Sequence, residues 1–341
     1  MTSSGVLENG TLVIENGRIV NIDPEPVPPQ AFHRFYDFSG KYLFPGLIDL
    51  HIHGVLGEDV TDGKVPALRS ISQYLFSCGV TGFLATTMTE SRERLLRAIE
   101  AVVRFQKEPG PGASILGIHL EGPYLCFNRR GAHNARYLRQ PDQEEMEQFV
   151  TAGEGLVKRV TIAPELDGSL KIIRWCTDQG ICVSLGHSEA DQETCFHAFQ
   201  QGARLVTHLF NGMDPLHHRK PNLLSFALGF EEIAVELIAD FIHVRPEVIE
   251  IVLKCKDPDH FLPVSDAVRP TGLTDGRYEF GGEMMEMKNG IARMELTGSL
   301  AGSTSPINRG LAHLSSRFHL SLPRLAQMGS LVPAQILGVS R

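Results

Sequence analysis

The sequence contains no Cys-x-x-Cys pair: its six cysteines, Cys78, Cys126, Cys176, Cys182, Cys195 and Cys255, are scattered along the chain. That pattern is read as reduced thiols rather than a disulfide framework. No uninterrupted apolar run approaches the roughly 18 residues that a membrane helix requires. The opening MTSSGVLENG lacks both the basic and the apolar region of a signal peptide, so a cytoplasmic protein is expected. Positive charge is also scarce. The formal net charge of -8 argues against broad nucleic-acid or anionic-membrane binding, because both depend on excess lysine and arginine. Convincing internal repeats and low-complexity segments are absent as well.

What is present suits an enzyme-sized globular protein. A chain of 341 residues with 42% hydrophobic content can bury a large core, and 33 glycines with 20 prolines imply many tight connections. The N-terminal TLVIENGRIVNI is two β-rich runs around Asn16-Gly17, a dipeptide suited to the positive φ angles of a hairpin turn. The proline-rich PEPVPPQ then breaks periodicity, and FYDFSGKYLF offers another strand pair before Pro45. These features predict a small β domain over 1–44 and a second domain over 45–341.

Beyond residue 44, short apolar runs recur with helix-length spacers: 47–50, 80–85, 115–120, 160–163, 181–185, 205–209, 234–239 and 261–264. Stretches such as SRERLLRAIEAVVRFQ, QEEMEQFVTAGEG, SLKIIRWCTDQG and RPEVIEIVLKC repeat apolar residues at helical spacing. The spacer between the sixth and seventh runs is the weakest helix. Alternating strands and helices of this number favour a (β/α)8 TIM barrel over an open doubly wound sheet.

Chemistry in such a barrel sits at the C-terminal strand ends, where the loops converge. His51 and His53 end the first run, Glu121 the third, His187 the fifth and Asp266 the eighth, while His208 lies in the sixth. One histidine at a strand end is more often a hydrogen-bonded structural residue than a ligand. These residues at five strand ends point instead to a shared divalent ion. Imidazole nitrogens with a carboxylate suit Zn, Fe, Co or Mn, whereas Ca or Mg would be held mainly by oxygens. The His-x-His spacing fits this picture, since residues two apart on a strand share a face.

The motifs PGLIDLHIHG, GIHLEGPYL with RRGAHN behind it, SLGHSEA, THLFNGM, IADFIHV, VSDA and LTGSLAGS run in order from about residue 44 to 305. In them the chain resembles the amidohydrolase superfamily, specifically its branch of N-acetylglucosamine-6-phosphate deacetylases. The resemblance implies metal-dependent hydrolysis of that phosphosugar to glucosamine 6-phosphate and acetate, in amino-sugar catabolism. It makes Glu121, His187 and His208 the main metal ligands, and His51 with His53 a pair able to support a second ion, so one or two metals are expected. Asp266 matches the acid/base. His133, Asn211, Gly212, Arg219 and His243 match residues that hold the phosphosugar, and Leu300, Ala301 and Gly302 are placed against it. Arg219 resembles an arginine supplied by the neighbouring subunit of a homodimer; in an acidic protein, the basic HHRKP loop also suits a phosphate, which guanidinium binds bidentately.

The sequence departs from the family pattern in two places. Relatives usually carry alanine where Gly212 stands, an exchange expected to be tolerated if a main-chain amide contacts substrate there. Relatives also continue with a glycine-rich tail that adds strands to the small β domain, whereas this sequence ends in LVPAQILGVSR. The hairpin is then expected to complete its sheet alone, exchange strands or be less stable. The segment TDGRYEFGGEMMEMKNGIARM reads as a hairpin overhanging the barrel mouth, its methionines either lining the pocket or filling gaps.

Three alternatives remain at this stage. One is a deacetylase of a related phosphosugar such as N-acetylgalactosamine 6-phosphate. Another is a cyclic-amide hydrolase, disfavoured because such enzymes commonly bridge two metals with a carboxylated lysine and no lysine lies at a predicted strand end. The third is a non-catalytic phosphosugar-binding barrel.

Overall fold

The structure is a computed structural model that describes residues 5–23, 25, 27 and 33–339. Its centre is a parallel sheet of eight strands in sequential spatial order. They span Leu47–Ile52, Val80–Thr87, Ser114–Glu121, Val157–Ile162, Cys182–Leu185, Leu205–Val206, Ala234–Ile238 and Phe261–Val264. Every neighbouring pair is parallel. The ring closes through a parallel bridge between Ile52 and Ala267, reinforced by the Asp266 N–H donating to His51 O (2.9 Å) and the His53 N–H to Ala267 O (2.9 Å). This is the expected TIM barrel.

Helices cover the outside, so the strands are buried on both faces and read as continuous apolar runs. The helix Arg92–Lys107 illustrates the outer layer. The Ser91 hydroxyl accepts the Arg94 N–H at its start, and Leu95, Ala98, Ile99, Val102 and Phe105 form the stripe that packs inward. The weakest expected helix is present but short, Leu223–Gly229. It is held by a capping box in which the Asn222 side chain accepts the Ser225 N–H and the Ser225 hydroxyl accepts the Asn222 N–H.

The barrel interior departs from an aliphatic filling. Arg159, fully buried, donates to Glu236, to Leu50 O (3.3 Å), to Ser184 Oγ (3.1 Å) and to Thr207 Oγ1 (3.1 Å). Thr161 Oγ1 joins Thr207 Oγ1 (2.8 Å) to His119 Nε2 (2.7 Å), and His119 Nδ1 reaches Thr86 Oγ1 (3.3 Å). Such a network stabilises to the extent that its members satisfy one another in a low-dielectric interior, and here Arg159 Nε alone of that guanidinium has no hydrogen-bond partner among the described residues.

The N-terminal hairpin forms as expected, with Thr11–Glu15 antiparallel to Arg18–Asp23 and both turn residues at positive φ, 50° for Asn16 and 75° for Gly17. The strand pair expected over 35–44 does not form. Asp37 Oδ1 takes both the N–H and the hydroxyl of Ser39, and the Lys41 N–H bonds Phe38 O, turn chemistry that competes with a ladder. The segment after the eighth barrel strand is a three-stranded antiparallel sheet, Gly276–Phe280, Glu283–Lys288 and Ile291–Met294, rather than one hairpin. No helix among the described residues is long and apolar enough to cross a membrane.

Candidate active site

Glu121, the last residue of the third barrel strand, is the hub of the mouth. Its Oε1 lies 3.1 Å from His208 Nε2, 3.3 Å from His187 Nε2 and 3.4 Å from His51 Nε2. Its Oε2 lies 3.1 Å from His53 Nε2 and 3.2 Å from His133 Nε2. Asp266 Oδ1 stands 3.3 Å from His53 Nε2 and 3.4 Å from His51 Nε2. The strand-end residues chosen from the sequence therefore meet, and His133 joins them more closely than expected. Asp266 faces this cluster.

Several of these residues hold an uncommon backbone. His187, His208 and Asp266 have φ of 48°, 27° and 47°, values costly for residues with a Cβ and persistent only where the surroundings enforce them. The strain turns each chain away from its strand and aims the side chain into the mouth.

The arrangement suits a cation. His51 Nε2 and His53 Nε2 approach to 3.2 Å, and His187 Nε2 and His208 Nε2 to 3.1 Å. Paired lone pairs at that range repel unless a proton or a metal lies between them. Two of the four opposite ring nitrogens are engaged, His51 Nδ1 by Glu236 Oε2 (3.2 Å) and His187 Nδ1 by Arg129 O (2.7 Å), whereas His53 Nδ1 and His208 Nδ1 have no hydrogen-bond partner among the described residues. Holding a proton on Nδ1 leaves Nε2 as the ligand atom, the usual outer support of a metal-binding histidine. Two groups, His51 with His53 and Asp266, and Glu121 with His133 and His187, each bring ligand atoms within 4.8 Å of one another.

Electrostatics agree. Burial disfavours charge on His53, but Asp266 and Glu121 override it and raise the imidazole to about 9; the same carboxylates hold His51 well above its usual range. Burial opposes charge on Asp266 as well, yet His51 and His53 hold it down at about 2, and Glu121 is likewise held low by His51 and His133. The pocket thus favours positive charge at its centre, which a divalent cation supplies as well as protons do. His133 behaves differently: burial dominates and takes it down to about 4.

The cavity over this cluster is lined by His53, Glu121, His133, His187, His208 and Asp266, by Asn211, Gly212, His243, Leu300 and Gly302, and by Met88, Val268 and Phe280 among others. His243 is oriented by Asp240, whose Oδ2 lies 2.7 Å from its Nδ1 and also accepts the Ser303 hydroxyl (3.0 Å). Asn211 Nδ2 donates to His208 O and Leu209 O. Gly212 has φ of 62°, and a Cβ there would stand 2.7 Å from His187 Nδ1 and 3.1 Å from Arg129 O. Alanine at 212 would therefore require the His187 support to shift, whereas the glycine of this chain leaves it in place. Ala301 is fully buried and does not line the cavity. Arg219 sits on the exposed loop, against His218 Nε2 (2.7 Å), and does not line it either.

Three contributors were missed in the sequence: Glu236, Arg159 and Asp240. Glu236 leaves a signal, a single charge inside an otherwise apolar strand run (AVELI), which a buried strand carries only when it is paired; Arg159 is masked by the adjacent Lys158 in VKRVTI.

Comparisons with known proteins agree with this geometry. The amidohydrolase family matches over residues 42–341. The N-acetylglucosamine-6-phosphate deacetylase of Vibrio furnissii is 38% identical over 87% of this chain and 74% of that protein. The N-acetylgalactosamine-6-phosphate deacetylase of Escherichia coli O157:H7 is 33% identical over 99% and 88%. The structure of a Mycobacterium smegmatis N-acetyl-D-glucosamine-6-phosphate deacetylase variant, in complex with N-acetyl-D-glucosamine-6-phosphate, superposes with a TM-score of 0.92 at 30% identity, covering 99% of this chain and 88% of that one. With a matching barrel, a matching family span and a mouth built of imidazoles and carboxylates, the chain belongs to the amidohydrolase family.

Proposed function

We propose that this protein removes the acetyl group of N-acetylglucosamine 6-phosphate by hydrolysis, giving glucosamine 6-phosphate and acetate in amino-sugar catabolism. One observation carries the reading: the Glu121 carboxylate is ringed by imidazole nitrogens, with Asp266 beside it at the floor of a cavity. Glu121, His187 and His208 would hold a divalent ion, Zn, Fe, Co or Mn, with His51 and His53 able to hold a second. A divalent ion there supplies Lewis acidity to the acyl carbonyl and lowers the pKa of water to about 7.

The chain's own residues do the rest. An amide resists hydrolysis because water is a poor nucleophile and the amine a poor leaving group. Asp266, ionised at neutral pH, takes a proton from the attacking water and returns it to the sugar nitrogen as the C–N bond breaks. His133, His243 and Asn211 orient the sugar and its amide, with Gly212, Leu300 and Gly302 beside them and Ala301 buried behind. Arg219 binds the phosphate of the neighbouring site in a homodimer, a role consistent with its exposure and its place outside the lining of its own cavity. A cytoplasmic location and a division into a small β unit over 1–44 and a catalytic barrel over 45–341 belong to the same reading.

The galactosamine epimer is the second reading, supported by the Escherichia coli relative at similar identity. Acetate release from both phosphorylated epimers and from unphosphorylated N-acetylglucosamine decides between them. Faster turnover of N-acetylglucosamine 6-phosphate is expected. Preference for the galactosamine epimer would transfer the assignment, and phosphosugar binding without acetate would leave a binding barrel.

A further inference from the structure

We propose that the acyl chain of the substrate is read by an apolar wall of Met88, Val268 and Phe280, with the Phe280 ring limiting the length admitted. The inference rests on the deacetylase reading and deepens it.

The three residues come from different parts of the chain and line one side of the cavity. Met88 follows the second barrel strand, Val268 lies two residues beyond Asp266, and Phe280 ends the first strand of the three-stranded sheet. The Phe280 ring stands edge-on to His53, with centroids 5.8 Å apart and planes at 82°. The wall therefore begins where the ligand cluster ends. Behind it lie Met285, Ala292, Met294 and Ala301, all buried, so the sheet caps the mouth with its apolar face inward.

Reaction geometry assigns this wall an occupant. In hydrolysis the water oxygen bonds to the acyl carbon, the C–N bond breaks, and the nitrogen leaves with a proton. The acyl carbon has three substituents. Its oxygen belongs with the cation-binding cluster, and its nitrogen belongs with the sugar, toward His133, His243 and Asn211. The remaining substituent is the alkyl chain; Ala132, Phe210 and Leu300 are also apolar in the lining, but the apolar group in ring contact with His53 and two residues from Asp266 is that of Met88, Val268 and Phe280. A methyl group gains by leaving water there, whereas a sugar hydroxyl would lose its hydrogen bonds.

An aromatic ring buried in the wall makes a firm limit, and the methionines behind it make a pliable one. One methylene in a hydrophobic pocket changes specificity by about 10–200-fold. Truncating Phe280 should therefore expose room against Met285 and Met294 and admit longer chains.

The test compares kcat/KM for N-formyl, N-acetyl, N-propionyl and N-butyryl glucosamine 6-phosphate in the metal-loaded wild type and in Phe280→Ala, Phe280→Leu and Met88→Ala. Met88→Ala lies outside the cap sheet and guards against collapse of that sheet. The expected result is a rise of at least about tenfold in the propionyl-to-acetyl ratio for Phe280→Ala, and a smaller rise for the other two. Ratios equal to wild type, with every chain length slowed in parallel or lost in all three variants, give the wall a structural role and overturn the proposal. A wild type that releases no acyl group from any of the four overturns the deacetylase reading as well.

Discussion

Replacing Asp266 by asparagine is expected to slow acetate release about 10²–10⁴-fold, the range that a positioned acid/base group supplies. The substitution keeps size and shape and removes only the ionisable oxygen. Although Asp266 is buried, His51 and His53 hold its pKa at about 2, so the carboxylate is present throughout the neutral range. The carboxylic acid formed when Asp266 takes the water proton is the group that returns it to the departing nitrogen. Asparagine can do neither. Phosphosugar binding measured by calorimetry should survive, because Asp266 acts on the acyl carbon and not on the phosphate. Retention of more than a tenth of the wild-type rate would remove Asp266 from the mechanism.

The second large effect is on stability. Arg159→Leu leaves Glu236 buried without its guanidinium, and breaking a buried pair from one side costs about 3–5 kcal/mol. Glu236 is fully buried, which alone would raise its pKa, yet Arg159 and His51 bring it to about 2. It also accepts the His208 backbone N–H (3.4 Å) and meets His51 Nδ1 (3.2 Å), so the pair lies directly beneath the ligand cluster. A double variant, Arg159→Leu with Glu236→Gln, should regain part of the loss by removing the stranded charge. Urea denaturation of the three proteins measures this. A single-variant loss under about 1 kcal/mol, or a double variant less stable than the single, would show that water or another cation already serves Glu236.

Much of the barrel could be read from the chain because its strands are sandwiched between interior and helices. Runs such as Phe261 to Val264 are then uniformly apolar, and the polar residues that follow them stand out. His51 and His53 were legible for the same reason: alternation puts both on one face, while Ile52 between them belongs to the apolar core. Residues inside the runs were harder. Arg159, Glu236 and His119 each occupy one position in a strand, and nothing local says that strands far apart in sequence bring them together. The left-handed backbone at His187, His208 and Asp266 has no signature in residue type, since it is imposed by packing and closure of the ring. Residues 35–44 misled because aromatic, strand-favouring side chains surround an Asp-Phe-Ser-Gly turn whose local hydrogen bonds win. The apolar wall was hidden because Met88 and Phe280 lie far apart in sequence and meet only when the cap sheet folds over the mouth.

The proposed hydrolysis depends on a cation held by Glu121 and the imidazoles around it. The most direct test is acetate release from N-acetylglucosamine 6-phosphate by protein stripped with a chelator and then titrated with Zn, Fe, Co or Mn, with bound metal counted in parallel. Activity should vanish on stripping and return in proportion to one or two bound ions per chain. Stripped protein that keeps its full rate, or that rebinds metal equally well as Glu121→Gln, would contradict it.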